Sequence, residues 1–469
     1  MSFWDADNVR AAVAGIWRAR PNRALEGVSI DSRTIEPGEV FVCLRGDNFD
    51  GHDFARAAAA AGASMVVVDD PGFEPSDLGD GIGVLRVGDT LKALVQLAAA
   101  YRRALDGTRV VAVTGSNGKT TTVRLIRSVL ETKLRGTSST KSYNNIIGVP
   151  LTLLSARPGD QFLVSEVGMN APGEIAPLAR ILEPDVAVIT NIGRAHIEAF
   201  DDINGIAREK ATLLSFLRPN GLAVAPADTD LLDDYVKPVP SLITVGERDG
   251  ADLRITSLEQ IPGEGIRFSV NDRADYRLPM LGRHNACNAL SAIAVGRRFG
   301  LSDEEITAGL QNAQTPEMRF ERRDFGGIEV FNDAYNASPE SVAAAVTTFA
   351  DVSSGARRRV LILGDMLELG EHGPDAHLEI AALIGETIEP DLLVTVGPLA
   401  LLIAERLSRE WAPGRVMIHS ELDDDSAERI TSRLQPGDAV LVKGSRRIGL
   451  ERIVRTLERR ATASSGTGT

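Results

Sequence analysis

The sequence has 469 residues, of which 51 are lysine or arginine and 65 are aspartate or glutamate, giving a formal net charge of −14. A chain this acidic is not expected to have nucleic acid or an anionic membrane surface as its main partner. No run approaches the ~18 apolar residues of a membrane-spanning helix. Charged residues also stand in "MSFWDADNVRAAVAG", where a signal peptide needs an apolar core. We therefore expect a cytoplasmic protein with no membrane segment.

The length predicts about three domains, and the sequence pattern changes twice along the chain. Residues 1–107 alternate short apolar strands such as "VFVCL" and "SMVVVDD" with helical stretches. Residues 108–312 do the same but end in "LRITSL", "IRFSV" and "YRLPM", which are typical of antiparallel strands added to a sheet. Residues 313–469 alternate strand and helix up to the small, polar tail "ATASSGTGT", which we expect to be disordered. This alternation predicts α/β domains with parallel sheets.

The two cysteines, Cys43 and Cys287, are far apart in the sequence. Neither has a neighbouring cysteine, so the chain has no paired-cysteine metal or redox motif. We expect both to be buried, small apolar residues without a disulfide.

The segment "VVAVTGSNGKTTT" predicts a phosphate-binding loop between a strand and a helix. Gly115 and Gly118 allow a tight turn whose backbone N–H groups point at an anion. Lys119 would supply positive charge to the β- and γ-phosphates, and Thr120 a hydroxyl ligand to Mg²⁺. Val113 stands where the common phosphate loop has a glycine, so this is a shorter variant. The loop indicates a nucleoside triphosphate but no particular reaction.

Two polar residues follow later strands of the same predicted sheet. Glu166 ends "QFLVSE", and His196 comes shortly after "VAVIT". At the rim beside the phosphate loop, a carboxylate and an imidazole would hold divalent metal. Magnesium prefers oxygen ligands, so the histidine indicates a second site that would also accept Mn²⁺. Lys210, on a predicted helix, is by itself typical of a solvated surface lysine.

Eight motifs stand out along the chain: "TGSNGKTT", "NNIIGVPLTLL", "EVGMNAPGEI", "TNIGRAHIEAF", "GRHNACNAL", "NDAYNASPESV", "LGDMLELG" and "LVKGSR". Together they resemble the motifs of the Mur ligases. The likeness runs from about Ser29 to Gly444 and implies an α/β fold with the three-domain Mur ligase architecture. That architecture has an N-terminal domain for the UDP-substrate, a central P-loop mononucleotide-binding parallel sheet and a C-terminal Rossmann-like domain.

The resemblance implies that ATP and two Mg²⁺ ions bind between the central and third domains. The loop residues that would hold ATP are Thr114, Gly115, Ser116, Asn117, Gly118, Lys119, Thr120 and Thr121. The ATP contacts outside the loop would be Asn288 at adenine, Arg319 from the hinge, Asp333 at ribose, and Tyr335 and Asn336 beside the nucleotide. The implied metal ligands are Thr120, Glu166, His196 and a carbamylated Lys210. Lys119, Glu166, His196 and Lys210 would form the catalytic set, whereas Arg283 and His284 would support the adenine loop.

Met318 departs from the family pattern, which more often has glycine before the hinge arginine. The resemblance also implies the residues that would hold the UDP-linked substrate. They are Ser32 and Arg33 with Gly46 and Asn48 of the Gly46–Asp50 turn at the UDP end, and Thr140, Asn144 and Asn145 near the γ-phosphate.

The implied reaction is ATP-dependent ligation of D-alanyl-D-alanine to UDP-N-acetylmuramoyl-tripeptide in peptidoglycan precursor synthesis, by a monomer. Phosphoryl transfer to the carboxylate gives an acyl phosphate, which the dipeptide amine attacks. Lys443 or Arg446 would bind the free carboxylate of the dipeptide, or would simply form a basic helix entrance on the surface.

Three alternatives stay open. A second member of the family adds the third residue of the peptide, but it carries an Asp-Asn-Pro-Arg motif that is absent from this sequence. A nucleotide-driven switch or motor would use the same loop but would not need a uridine-nucleotide domain. A catalytically inactive relative is disfavoured because Lys119, Glu166, His196 and Asp333 are all present.

Overall fold

The computed structural model describes residues 3–140, 142–261, 263–409, 411–412 and 414–465. In this part of the chain, three sheets follow one another along the sequence, each covered by helices. The predicted three-domain α/β architecture is therefore confirmed. Apolar side chains from all three regions join one continuous core, which reaches from Val9 through Leu163 to Leu441.

The N-terminal sheet has the strand order β1-β5-β4-β3-β2, in which β1 is antiparallel to β5 and the other pairs are parallel. The helix α3 begins at the cap Asp89, whose carboxylate accepts the N–H of Lys92. The apolar face of α3 packs against the central domain, and this packing joins the N-terminal and central domains. The helices here are α1 Ala6–Ala12, α2 Ala55–Ala61 and α3 Thr90–Ala104; the strands are β1 Ile16–Ala19, β2 Gly27–Ser29, β3 Glu39–Val42, β4 Met65–Val68 and β5 Gly83–Arg86.

The central sheet has the order β14-β13-β12-β11-β10-β9-β6-β8-β7. Its strands are β6 Arg109–Thr114, β7 Gly136–Ser138, β8 Phe162–Glu166, β9 Val186–Ile189, β10 Leu222–Pro226, β11 Leu242–Gly246, β12 Leu253–Ile261, β13 Gly265–Val270 and β14 Ala274–Leu278. Its helices are α4 Lys119–Leu130, α5 Gly148–Leu154, α6 Ile175–Leu182, α7 Ile203–Ala211, α8 Asp233–Val236, α9 Arg283–Arg298 and α10 Asp303–Gln311. β12, β13 and β14 pair in antiparallel fashion, as predicted for the added strands.

The position of β6 fixes the site of chemistry in the central domain. β6 pairs in parallel with β8 on one side and β9 on the other, so the strand order reverses at β6. In open α/β sheets, ligands bind beyond the carboxyl ends of the strands at such a switch point. Both faces of β6 are covered, which explains the unbroken apolar run "VVAV" before the loop.

The third sheet has the order β15-β16-β20-β17-β18-β19, with β15 antiparallel to β16 and the other pairs parallel. Its strands are β15 Glu321–Phe325, β16 Ile328–Asp333, β17 Arg358–Gly364, β18 Leu392–Val396, β19 Val416–His419 and β20 Asp438–Lys443. Its helices are α11 Pro339–Val352, α12 Gly373–Thr387, α13 Ala400–Ser408, α14 Asp424–Thr431 and α15 Glu451–Ser465. The predicted strand–helix alternation is confirmed, whereas β15 was not predicted.

Two local predictions are wrong. The helix α15 runs to Ser465, so the first part of the tail is helical rather than disordered; residues 466–469 lie outside the described residues. Cys43 is buried as expected, but Cys287 is only partly buried because it faces the large cavity described below. None of the helices in the described part of the chain has the length and apolar character that a membrane crossing requires.

Candidate active site between the central and third domains

The phosphate loop has the predicted strand–loop–helix geometry, and two of its positions strongly favour glycine. Gly115 and Gly118 have φ values of 147° and 81°, in the region that favours glycine. A Cβ at Gly115 would lie 1.9 Å from Thr190 Oγ1, and one at Gly118 would lie 2.4 Å from Asn288 Oδ1. The glycines therefore allow the loop to pack closely against its neighbours and to turn into α4.

The loop after β9 holds the phosphate loop in place. The Ser116 N–H donates to the Asn191 carbonyl at 3.0 Å, and the Asn117 N–H donates to Asn191 Oδ1 at 2.8 Å. The Ser116 hydroxyl donates to the Gly193 carbonyl at 2.9 Å. These bonds fix the conformation of the phosphate loop without using an N–H group of α4, whose N-terminus stays directed at the cavity.

Lys119 folds back over the loop that precedes it. Its ammonium donates to the carbonyls of Gly115 at 2.8 Å and Ser116 at 3.2 Å. Desolvation lowers the pKa of Lys119, while the charge of Glu166 opposes that shift. A partly desolvated cation held at the loop is suited to bind a polyanion.

Thr120 and Glu166 meet at the rim of the sheet, as the sequence predicted. Glu166 is 1% exposed and accepts the Thr120 hydroxyl at 2.7 Å. The other carboxylate oxygen accepts the Asn144 amide at 2.8 Å. Arg319 of the third domain donates to the Thr120 hydroxyl at 2.9 Å. A hydroxyl, a carboxylate and a guanidinium from two domains are thus in direct contact.

The hinge that carries Arg319 has an unusual backbone. Met318 and Phe320, on either side, have φ values of 54° and 57°. Glycine adopts positive φ values without steric strain, which explains why the family pattern more often has glycine at position 318. The Arg319 guanidinium lies over the Tyr335 ring, 4.1 Å from its centroid, and the Tyr335 N–H donates to the Met318 carbonyl. The stacked ring holds the guanidinium towards the phosphate loop.

Asp333, at the end of β16, is paired with Lys443 at the end of the adjacent strand β20. The Lys443 ammonium, 2% exposed, donates to Asp333 Oδ2 at 2.6 Å and to the Asn336 carbonyl at 3.1 Å. Its charge therefore offsets that of Asp333 rather than facing a free ligand carboxylate. Arg446 contacts Glu451 and the Met318 sulfur instead, and it is not among the described residues that line the cavity. The prediction that one of these cations binds the dipeptide stays a prediction.

His196 and Lys210 have surroundings that the sequence did not reveal. His196 Nδ1 lies 2.7 Å from Glu368 Oε2 of the third domain. Lys210 is 1% exposed, and burial together with the nearby Lys119 charge holds its pKa well below its usual range. It is therefore not the solvated surface lysine that its helix position alone indicates. Among the described residues, no three histidine, cysteine, aspartate or glutamate side chains come together as a preformed metal cluster.

A cavity of ≈ 520 Å³ lies between the central and third domains. The predicted residues that line it are Ser116, Asn117, Gly118, Lys119, Thr121, Asn144, Asn145, Glu166, His196, Asn288, Arg319, Asp333, Tyr335, Asn336 and Lys443. The lining also includes residues that sequence reasoning missed, among them Glu174, Asn191 and Glu340. Of the two residues expected to support the adenine loop, His284 lines the cavity, and burial lowers its pKa. The Arg283 guanidinium instead pairs with Glu247.

The other predicted residues lie outside that lining within the described part of the chain. Thr114 and Lys210 are buried, and Thr140 is exposed on the central domain. In the N-terminal domain, Arg33 is 85% exposed and makes a two-bond pair with Asp31. The hydrogen bond from Arg33 lowers the pKa of Asp31 to about 2. Ser32, Gly46 and Asn48 lie at this surface as well, partly or fully exposed.

Three family models match consecutive parts of the chain. They are the Mur ligase family catalytic domain over residues 24–102, the Mur ligase middle domain over 113–296, and the Mur ligase glutamate ligase domain over 318–446. The chain belongs to the Mur ligase family, as its motifs indicated.

Three relatives that align over more than nine-tenths of this chain are ligases of the MurF type by name. The UDP-N-acetylmuramoyl-tripeptide–D-alanyl-D-alanine ligase of Bacillus subtilis (strain 168) is 37% identical over 435 residues, covering 92% of this chain and 93% of that protein. The crystal structure of MurF from Acinetobacter baumannii has a TM-score of 0.83 at 30% identity, covering 97% of this chain and 99% of that chain. MurF ligase from Thermotoga maritima, crystallised with ADP, has a TM-score of 0.78 at 26% identity, covering 94% and 98%.

Proposed function

We propose that this protein is a MurF-type ligase that uses ATP to join D-alanyl-D-alanine to UDP-N-acetylmuramoyl-tripeptide in peptidoglycan precursor synthesis. The observation that carries the proposal is the contact of Arg319 with Thr120 across the cavity. It places a third-domain cation against the phosphate loop, where a triphosphate would lie. The similarity to ligases of that name over nearly the whole chain supports the choice of substrates.

ATP would occupy the cavity with its phosphates at the loop. The N–H groups at the start of α4, together with Lys119 and Arg319, would bind the phosphate oxygens. Asn288 would meet adenine, and Asp333 would accept a ribose hydroxyl while Lys443 offsets the remaining carboxylate charge. Tyr335 and Asn336 would flank the nucleotide.

The residues at Thr120 fit a magnesium ion. A hydroxyl and a buried carboxylate that lie 2.7 Å apart are the oxygen donors that Mg²⁺ prefers. Bound there, the ion would screen the triphosphate and help to stabilise the phosphoryl group during transfer. The chain's own part is to hold Glu166 in place through Asn144 and to supply two cations, Lys119 and Arg319.

Lys210 fits the carbamate that the family resemblance implies. Burial lowers the pKa of Lys210 and so favours the uncharged amine, which is the form that attacks CO₂. A new N–C bond forms and one proton is released, which turns a cation into an anionic oxygen donor. With His196, that group would supply a second metal site, for Mg²⁺ or Mn²⁺. ¹³C NMR after addition of ¹³C-bicarbonate should show a carbamate signal that is absent from Lys210→Ala; no signal in the unsubstituted protein would exclude it.

Ligation needs two anions, a carboxylate and a triphosphate, to meet. Lys119 and Arg319 reduce their repulsion in a cavity where electrostatic interactions are strong. ATP would convert the carboxylate to an acyl phosphate, and the dipeptide amine would then displace phosphate. The docked third domain covers the cavity and would exclude water, which would otherwise hydrolyse the activated acyl group.

The UDP end of the substrate would bind the N-terminal domain at Ser32, Arg33, Gly46 and Asn48, with Thr140, Asn144 and Asn145 guiding the peptide towards the γ-phosphate. We divide the chain by function into residues 1–107, 108–312 and 313–469. The family resemblance further implies that the protein would act as a monomer.

ADP release measured with a panel of acceptors tests the proposal. With UDP-N-acetylmuramoyl-tripeptide, release should depend on D-alanyl-D-alanine and yield the pentapeptide product. UDP-N-acetylmuramoyl-dipeptide with diaminopimelate or lysine should give none, and activity there would assign the step that adds the third residue. ADP release at the same rate without any acceptor would favour a nucleotide switch instead.

A further inference from the structure

Arg194 joins the central domain to two helices of the third domain. It lies in the loop after β9, and its Nε donates to Glu340 Oε1 at 3.0 Å. Its two terminal nitrogens donate to the two oxygens of Glu379 at 3.1 and 2.8 Å. Glu340 lies in the first turn of α11, and Glu379 lies on α12.

The backbone is shaped to complete this contact. The Arg194 N–H lies 3.2 Å from both carboxylate oxygens of Glu340. A Cβ at Gly193 would lie 2.9 Å from Glu340 Oε2 and would displace that carboxylate. Forked, charge-assisted hydrogen bonds of this kind are stronger and more directional than an ordinary surface ion pair.

The same loop also shapes the phosphate loop. Asn191 and Gly193 accept hydrogen bonds from Ser116 and Asn117, as described above. Ser338, just before α11, donates to Asn117 Oδ1 at 3.1 Å. The short segment 190–194 therefore affects both the docking of the third domain and the geometry of the phosphate loop. Arg194 provides the charged contact between this segment and the third domain.

We propose that Arg194 is a positioning residue, which holds the third domain closed over the nucleotide through Glu340 and Glu379. Arg194 is 30% exposed and Glu379 is 55% exposed, so salt reaches and screens the contact. Closure of the third domain over the nucleotide is therefore sensitive to ionic strength. The expected effect of Arg194 on turnover rests on the proposed function. The effect of Arg194 on domain closure does not require ligation.

Small-angle X-ray scattering of the full chain with a saturating non-hydrolysable ATP analogue tests the proposal. Scattering at about 0.05 M and about 0.5 M NaCl gives the open-to-closed ratio under weak and strong screening. Arg194→Met should raise that ratio roughly tenfold at low salt, which corresponds to ~1.4 kcal/mol, and should remove most of its salt dependence. Glu379→Gln should raise the ratio less, and it should have no further effect in the Arg194→Met background.

Arg218→Met is the matched control, because Arg218 pairs with Glu183 inside the central domain, at 3.4 Å. It should scatter like the unsubstituted protein. A folded Arg194→Met protein that closes as well as the unsubstituted one, or a closed fraction that salt leaves unchanged, would overturn the proposal. Glu379→Gln gives an independent test if Arg194→Met fails to fold.

In the ligase assay, Arg194→Met should lower kcat more than it changes KM for the UDP-substrate. If no variant ligates but Arg194→Met still opens, the proposed function fails and this inference stands.

Discussion

The nucleotide end and the sugar-nucleotide end of this molecule are built differently. At the nucleotide end, Glu166 and Lys443 are 1% and 2% exposed, and each is held by hydrogen bonds. At the sugar-nucleotide end, Arg33 is 85% exposed and pairs with Asp31, two residues away. One end is a cavity shaped by two domains, and the other is a surface with local ion pairs.

This difference indicates what each end contributes. Buried, mutually bonded groups are pre-organised, so they can stabilise a transition state without rearrangement. Exposed ion pairs contribute little to stability, and their charges stay available to a ligand. Substitutions at the nucleotide end should therefore change the rate of chemistry, whereas those at the other end should change substrate affinity.

The largest expected effect is at Lys119. Lys119→Met removes the cation at the phosphate loop and should lower kcat roughly 10³-fold, as the loss of a pre-organised electrostatic group does. The melting temperature should not fall, because the lost ammonium is partly desolvated. Lys133→Met removes an exposed lysine that pairs with Glu305 and serves as the control. Equal kcat values for the two variants would refute the role of Lys119.

Arg319 should come next. Arg319→Lys keeps the charge but loses the flat group that stacks on Tyr335 and reaches Thr120. We expect kcat/KM for ATP to fall about 10- to 100-fold, since lysine does not replace arginine at stacked sites. Steady-state kinetics over a range of ATP concentrations measures this. Arg322→Lys, at an exposed pair with Glu329, should change little, and a similar loss there would argue against a specific role for Arg319.

Arg33 should affect one substrate only. Arg33→Ala should raise KM for the UDP-substrate about 10-fold, or ~1.4 kcal/mol, with KM for ATP unchanged. Initial rates with each substrate varied in turn separate the two values. Arg20→Ala removes another exposed arginine of the same domain, which pairs with Asp7, and provides the comparison. A change in KM for ATP in Arg33→Ala would break the contrast between the two ends.

The smallest expected effect is a change in the pKa of Asp31, on the same surface of the N-terminal domain. The hydrogen bonds from Arg33 lower the pKa of Asp31 from 3.8 to about 2. A carboxyl group whose pKa is lower in the folded state stabilises the folded protein at pH values above its unfolded-state pKa. For Asp31 that stabilisation is lost as the pH falls through about 2. Carboxyl NMR should find Asp31 titrating near 2, and at a higher pH in Arg33→Ala, which loses the side-chain hydrogen bonds but keeps the backbone N–H of residue 33. An Asp31 pKa near 3.8 in the unsubstituted protein would show that the pair does not form in solution.

The sequence predicted those parts of the site that follow from local pattern and sheet topology. Thr120 follows β6 and Glu166 ends the neighbouring parallel strand, so their meeting at one edge could be expected. The Arg319 contact could not come from spacing, because it joins residues 199 positions apart; only the family resemblance indicated it.

The contacts that dock the third domain were not predicted. Arg194 lies 146 residues from Glu340 and 185 from Glu379, and His196 pairs with Glu368 across the same interface. Such pairs depend on how two folded domains sit against each other, and sequence periodicity carries no information about that. The pair of Lys443 with Asp333 lies within the third domain instead, where it depends on β16 and β20 being adjacent in the sheet.

The central claim is that ATP lies between two domains, with its phosphates on the loop Gly115–Thr120 and on Arg319. A crystal structure of the full chain with Mg²⁺ and a non-hydrolysable ATP analogue tests it most directly. We predict the terminal phosphate beside Lys119 and Arg319, and the ribose beside Asp333. A nucleotide bound away from this loop, or one that touches only the central domain while the third domain is docked, would contradict the account.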